Sequence, residues 1–103
     1  MQNATRHTIK NVIKNNMSRI AIDFDDTIFD TKNRVPMKGA VKAINKLYND
    51  GNQITVFTTR PDYFSPDIEA MMKAWGIKFH RVICGKPTYD LLIDDKAQKF
   101  IKW

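Results

Sequence analysis

The segment Ile20-Ala21-Ile22-Asp23-Phe24-Asp25-Asp26-Thr27 constrains this chain more than any other. An apolar run passes directly into three acids and a threonine. The apolar part reads as a strand buried on both faces, the signature of a parallel sheet. A strand ending in carboxylates carries charge to the carboxyl edge of that sheet, where open α/β sheets place their ligands. In an extended segment Asp23 and Asp25 project the same way, because side chains alternate with period two. Carboxylates held together repel, so one reading is a site for a hard divalent cation with oxygen ligands. The other is a strand followed by an acidic turn, with aspartate as a cap.

The totals bound the answer. A chain of 103 residues with 43 % apolar content suits one small domain with one core. No apolar run is long enough to span a bilayer and no secretory signal is evident. With Cys84 as its one cysteine the chain forms no internal disulfide, so a cytoplasmic location is expected. Net charge is +6. Residues 1–16 hold Arg6, Lys10 and Lys14 and no acid, so 14 of the 17 basic residues face the 11 acids that follow. A mildly basic domain suits a polyanionic partner, whether nucleic acid or a phosphorylated small molecule.

Residues 1–18 read as a basic leader, structural or dispensable, with Ile9, Val12, Ile13 and Met17 at the spacing of a short amphipathic helix. The domain proper is expected over residues 19–103. Its first strand covers Arg19–Phe24. The polar stretch Ile28–Val35 reads as an exposed hairpin or flap. Pro36 suits a first helical residue, and Ala40, Val41, Ile44, Leu47 and Tyr48 recur at helical spacing before Asp50-Gly51-Asn52 stops the helix. Gln53–Thr58 is a second buried strand. A helix near Asp67–Trp75 follows, with Gly76 as its stop, then strands at Lys78–Cys84 and Leu91–Ile93, and a helical turn or two in Lys96–Trp103. Alternating strands and helices give an α/β class with a parallel sheet. Asp23/Asp25, Thr58/Thr59/Arg60 and Asp94/Asp95 then gather at one edge.

Four motifs in this order resemble those of the haloacid dehalogenase-like phosphohydrolase superfamily. Asp23-Phe24-Asp25-Asp26-Thr27 is similar to its opening motif, and Thr58 to the hydroxyl residue that closes the next strand. Lys86 in Gly85-Lys86-Pro87 resembles its lone lysine, and Asp94-Asp95 after Leu91-Leu92-Ile93 its closing acids. The resemblance implies a Rossmann-like three-layer sandwich around a mostly parallel sheet of about four strands in the order 3-2-1-4. It implies that Asp23 is the nucleophile, forming an aspartyl-phosphate. Asp25 would be the general acid and then the base, offering its backbone carbonyl to the metal. Asp94 would be a further metal ligand beside Asp23 and Asp25, with Asp95, Thr27 and Arg60 as outer partners. Thr58 and Lys86 would bind the transferring phosphoryl group, and the ion would be Mg²⁺.

Other readings attach to several of these residues. Thr58 also suits an ordinary strand-end hydroxyl, and Lys86 a solvated loop lysine. Asp26 suits a turn cap, Asp90 a turn end, and Arg60 a surface residue within reach of substrate phosphate. His7 and His80 lack partners at metal-ligand spacing. Cys84 reads as a buried strand residue rather than a nucleophile. Trp75 and Phe79 read as core.

Two departures from the family pattern shape the expectation. No stretch holds a cap domain, so the site admits bulky substrates or borrows a lid from another subunit of a homo-oligomer. The link Gly85–Asp90 lacks a crossover helix. Extended, it reaches about 20 Å, against about 14 Å of sideways travel across three strand spacings plus the return along the strand. Lys86 must then sit on a stretched loop. The expected activity is Mg²⁺-dependent phosphomonoester hydrolysis, on a sugar phosphate in the leading reading. The alternatives are a nucleotide or polynucleotide phosphate, or a non-catalytic binding module of the same fold with no membrane role.

Overall fold

A computed structural model describes residues 2–3, 18–61, 64–85 and 89–94. The strands are β1 (Gln2–Asn3), β2 (Arg19–Asp23), β3 (Phe29–Asp30), β4 (Val35–Pro36), β5 (Gln53–Thr58), β6 (Arg81–Cys84) and β7 (Leu91–Ile93). The helices are α1 (Ala40–Asn49) and α2 (Ser65–Ala74). The central sheet runs β1-β7-β2-β5-β6 and every pairing in it is parallel. Its four longer strands follow the expected order, and Gln2–Asn3 adds a short fifth strand at the β7 edge. The amphipathic spacing in 4–17 and the tail Lys96–Trp103 lie outside the described residues.

Both helices cover the same face. Ile20 and Ile22 of β2, Ile54 and Val56 of β5, and Leu91 and Ile93 of β7 are buried in one cluster with Ala40, Ile44, Leu47, Ile68 and Met72. This follows from topology: β2-α1-β5 and β5-α2-β6 step in one direction, and right-handed crossovers put both helices on one side. The opposite face buries Ala21, Phe57, Leu92 and Tyr89 in a second cluster. Helix α1 ends as its sequence suggests. Gly51 takes φ +98°, which a glycine adopts without strain. The buried Asn52 donates to the Leu47 carbonyl and accepts from the Ser18 N–H, both at 2.9 Å, tying the helix end to the start of β2. Gly76, at φ +72°, stops α2 in the same way, its N–H donating to the Lys73 carbonyl.

Pro36 is not a helical residue, contrary to its N1-like context. It pairs with Phe29 in the antiparallel β3–β4 hairpin, and α1 begins four residues later behind Gly39. The fixed φ of proline suits an edge strand as well as a first helical turn. The hairpin is the expected flap. Its turn is held by the Asp30 carboxylate, which accepts from the backbone of Lys32 and Asn33 and from the Asn33 amide. Its base is anchored by Phe29, whose ring stacks on Phe24 at 5.3 Å and on Trp75 at 5.7 Å. Trp75 and Phe79 pack against the main core as expected. No helix among the described residues is long and apolar enough to cross a membrane.

Candidate active site at the carboxyl edge of the sheet

Strand register brings the motif residues together. Asp23 ends β2 and pairs with Phe57, so Thr58 lies one residue further along the neighbouring strand. On the other side Ile22 pairs with Ile93, which puts Asp94 one residue beyond that pair, level with Asp23. Neighbouring strands lie about 4.8 Å apart. By period-two alternation Asp23 and Asp94 continue the face of Ala21 and Leu92, whereas Thr58 continues the helix-covered face of Ile54 and Val56. Asp23 and Asp94 are half-buried and Thr58 is buried.

The chain leaves the sheet after Asp23 and turns tightly. The Phe24 N–H still donates to the Phe57 carbonyl at 3.0 Å, and the Phe24 carbonyl accepts from Ile28 and Phe29, both at 2.9 Å. Asp26 takes φ +60°, and its exposed carboxylate accepts from the Thr31 N–H at 3.1 Å and hydroxyl at 2.7 Å. It therefore braces the flap. Thr27 is fully buried at the base of this turn. Because the strand ends at Asp23, alternation no longer fixes the direction of Asp25.

Arg60 fixes it instead. Its Nε donates to Asp25 Oδ2 at 2.9 Å and its Nη2 to Oδ1 at 2.5 Å, a two-pronged pairing of guanidinium and carboxylate. The guanidinium also lies 5.8 Å from the Phe24 ring centroid and 5.4 Å from that of Phe64. The hydrogen bonds to Asp25 hold its proton even more tightly than usual for arginine. Arg60 is therefore partly exposed, at 29 % of its side chain, with its guanidinium paired to Asp25. The Arg60 backbone N–H donates to Thr58 Oγ1 at 3.0 Å. That bond uses the acceptor side of the hydroxyl and orients it.

Lys86, Asp95 and the rest of residues 86–88 and 95–103 lie outside the described residues. The residue before Lys86 is placed: Gly85, at φ +97°, donates its N–H to the Thr58 carbonyl at 3.0 Å. The loop towards Lys86 thus starts against the end of β5. Cys84, at the end of β6, is half-buried with its Sγ 3.3 Å from Ser65 Oγ. His80 is structural: its Nδ1 accepts from the Ile54 N–H at 2.9 Å, and its ring stacks on Tyr48. A groove lined by Tyr48, Lys73, Lys78 and His80 opens beside the amino end of β6, away from the strand-end carboxylates.

Asp23 and Asp94 offer hard anionic oxygens from adjacent strand ends. That donor set fits Mg²⁺, which typically takes one or two carboxylates and keeps several waters. Among the described residues no three His, Cys, Asp or Glu side chains converge as a metal cluster, and the Asp25 carboxylate is turned to Arg60.

A family profile described as haloacid dehalogenase-like hydrolase matches residues 20–88. The fold resembles the solved structure of a conserved protein from Bacteroides thetaiotaomicron, with a TM-score of 0.69 and 23 % identity over 84 % of this chain and 82 % of that one. At that identity the likeness speaks to the fold. No curated protein matches the chain.

Proposed function

Since this chain belongs to the haloacid dehalogenase-like hydrolase family, we propose that it hydrolyses phosphomonoesters through an aspartyl-phosphate on Asp23. The observation that carries the reading is the meeting of Asp23, Thr58 and Asp94 at the ends of three adjacent parallel strands. A carboxylate at a strand end, with a hydroxyl on one side and a second carboxylate on the other, suits nucleophilic attack on a phosphoryl group.

In the first half-reaction a carboxylate oxygen of Asp23 attacks phosphorus. The bond from phosphorus to the ester oxygen breaks, and that oxygen takes a proton from the Asp25 carboxyl. In the second half the Asp25 carboxylate takes a proton from water, whose oxygen attacks the aspartyl-phosphate. The bond from phosphorus to Asp23 breaks, releasing phosphate and restoring both aspartates. The Thr58 O–H donates to a phosphoryl oxygen, its acceptor side being taken by Arg60. Lys86 adds positive charge to the same group. Asp23, Asp94 and the Asp25 carbonyl would hold Mg²⁺, with Asp95 and Thr27 as outer partners, and the ion would supply charge stabilisation for the phosphoryl oxygens.

The expected substrate is a phosphorylated small molecule of the sugar-phosphate kind, entering a site with no cap domain among the described residues. A lid from a second copy of the chain is the corresponding proposal for assembly. Exposed Lys32, Arg34 and Lys38, on and beside the flap, favour a nucleotide or polynucleotide phosphate as the second reading. The test is release of inorganic phosphate from p-nitrophenyl phosphate, with Mg²⁺ and with chelator, followed by a panel of phosphorylated sugars, nucleotides and 3′-phosphorylated DNA. Mg²⁺-dependent turnover lost in Asp23→Asn is the expected result. Turnover that survives Asp23→Asn contradicts the reading.

A further inference from the structure

We infer that Arg60 is the positioning residue for Asp25, and that it sets how well the site expels leaving groups that need a proton. The inference rests on the phosphatase reading above and adds a residue to it. Asp25 sits beyond the end of β2, in a turn where the sheet no longer dictates side-chain direction. A carboxylate there is free to rotate towards Asp23 and Asp94 or towards solvent. Both of its oxygens instead accept from one guanidinium, at 2.9 and 2.5 Å.

The guanidinium is itself restrained. It lies within cation–π reach of Phe24, which is fully buried, and of Phe64 at the start of α2. Its own backbone N–H is tied to Thr58 Oγ1. One residue therefore orients the Asp25 carboxylate through its side chain and the Thr58 hydroxyl through its backbone. A planar fork does this, whereas a lysine ammonium offers a point charge with no fixed plane. The Nε–Nη2 edge of the guanidinium is engaged by the Asp25 carboxylate, so Arg60 acts on the site through Asp25.

The experiment compares Arg60→Gln and Arg60→Lys with the unaltered protein on a primary alkyl phosphate and on p-nitrophenyl phosphate, each also combined with Asp25→Asn. Misplacing an acid–base group should lower kcat on the alkyl phosphate by about 10–100-fold, within the range such groups contribute, and leave KM nearly unchanged. Single-turnover phosphorylation by p-nitrophenyl phosphate, whose leaving group needs no proton, should change by less than about threefold. In the Asp25→Asn background the Arg60 changes should cost almost nothing further, because the two residues act as a unit. Equal losses on both substrates, a large rise in KM, or additive losses would overturn the inference. A readout independent of turnover and of any Arg60 variant is ¹⁵N relaxation of the Arg60 Nε–H. It should be rigid in the unaltered protein and mobile in Asp25→Asn, and a mobile Nε in both overturns the inference. Absence of turnover on either substrate by the unaltered protein defeats the phosphatase reading, while the relaxation measurement still decides the pairing.

Discussion

Asp90 grips Arg19 at the end of the sheet opposite the candidate site. Its Oδ2 accepts from the Arg19 N–H at 2.7 Å and from Nε at 3.4 Å, and its Oδ1 lies 3.1 Å from Nη2. The Asp90 N–H returns a bond to the Arg19 carbonyl at 2.8 Å. Strand β7 is three residues long, so the Arg19–Asp90 pairing adds to a short ladder in setting its register against β2. A one-residue slip would turn Asp94 to the wrong face of the sheet. Asp90, four residues upstream, therefore helps determine where Asp94 lands.

This pairing gives a signed pH dependence. Hydrogen bonds from the Arg19 side chain, then its backbone N–H, hold the Asp90 carboxyl below the usual carboxylate range. A lowered folded value means a stabilising contribution that is complete above the unfolded value, about 3.9, and is lost as pH falls through the folded one. Asp90→Asn should lower Tm at pH 7, and the gap to the unaltered protein should close as pH falls through the lowered folded value of Asp90. A gap that persists unchanged at low pH would show that the carboxylate charge is not what matters. Both side chains are about half exposed, so salt should also narrow the gap.

Thr58→Val separates packing from chemistry at the end of β5. The hydroxyl is buried and accepts from the Arg60 N–H. Its loss leaves that N–H unpaired and should cost about 1 kcal/mol in denaturant unfolding. Losing the donor to the phosphoryl group should lower kcat/KM by about 10²–10³-fold, the effect typical of one such donor. A stability loss with activity intact would leave Thr58 as a strand-end hydroxyl only.

Much of this arrangement was legible in the sequence. Gln53–Thr58 and Leu91–Ile93 read as strands with the bounds they have, through β-branched and apolar Ile54, Val56 and Phe57 in one and the unbroken Leu91-Leu92-Ile93 in the other, each flanked by turn residues. Gathering Asp23, Thr58 and Asp94 at one edge followed from parallel pairing alone. What was not legible depends on contacts distant in sequence. Arg60 and Asp25 are 35 residues apart and Arg19 and Asp90 are 71 apart, and no periodicity links either pair. Pro36 misled because its fixed φ serves a hairpin and a helix start alike. Gln2–Asn3 carries no strand signal, since an edge strand of two polar residues needs none of the apolar pattern.

Asp94 and Asp25 should behave differently when each is made an amide. Asp94, level with Asp23 on the neighbouring strand, is expected to hold the ion through its side chain. Asp94→Asn should therefore weaken Mg²⁺ affinity, and excess Mg²⁺ should restore part of the rate. Asp25, whose carboxylate is taken by Arg60, should lose about 10²–10⁴-fold in kcat as Asp25→Asn, at saturating Mg²⁺ as well. With p-nitrophenyl phosphate the trace should show a burst and then a slow steady rate, because water activation is lost while the first step is spared. Recovery of Asp25→Asn by Mg²⁺ would assign that carboxylate to the metal instead.

The proposed reaction places the phosphoryl group on Asp23. The most direct measurement is a crystal structure of the protein with Mg²⁺ and beryllofluoride, which mimics an aspartyl-phosphate. Beryllium is expected to bond to a carboxylate oxygen of Asp23, with one fluoride accepting from the Thr58 hydroxyl. Beryllofluoride on another residue, with Asp23 bare, would contradict it.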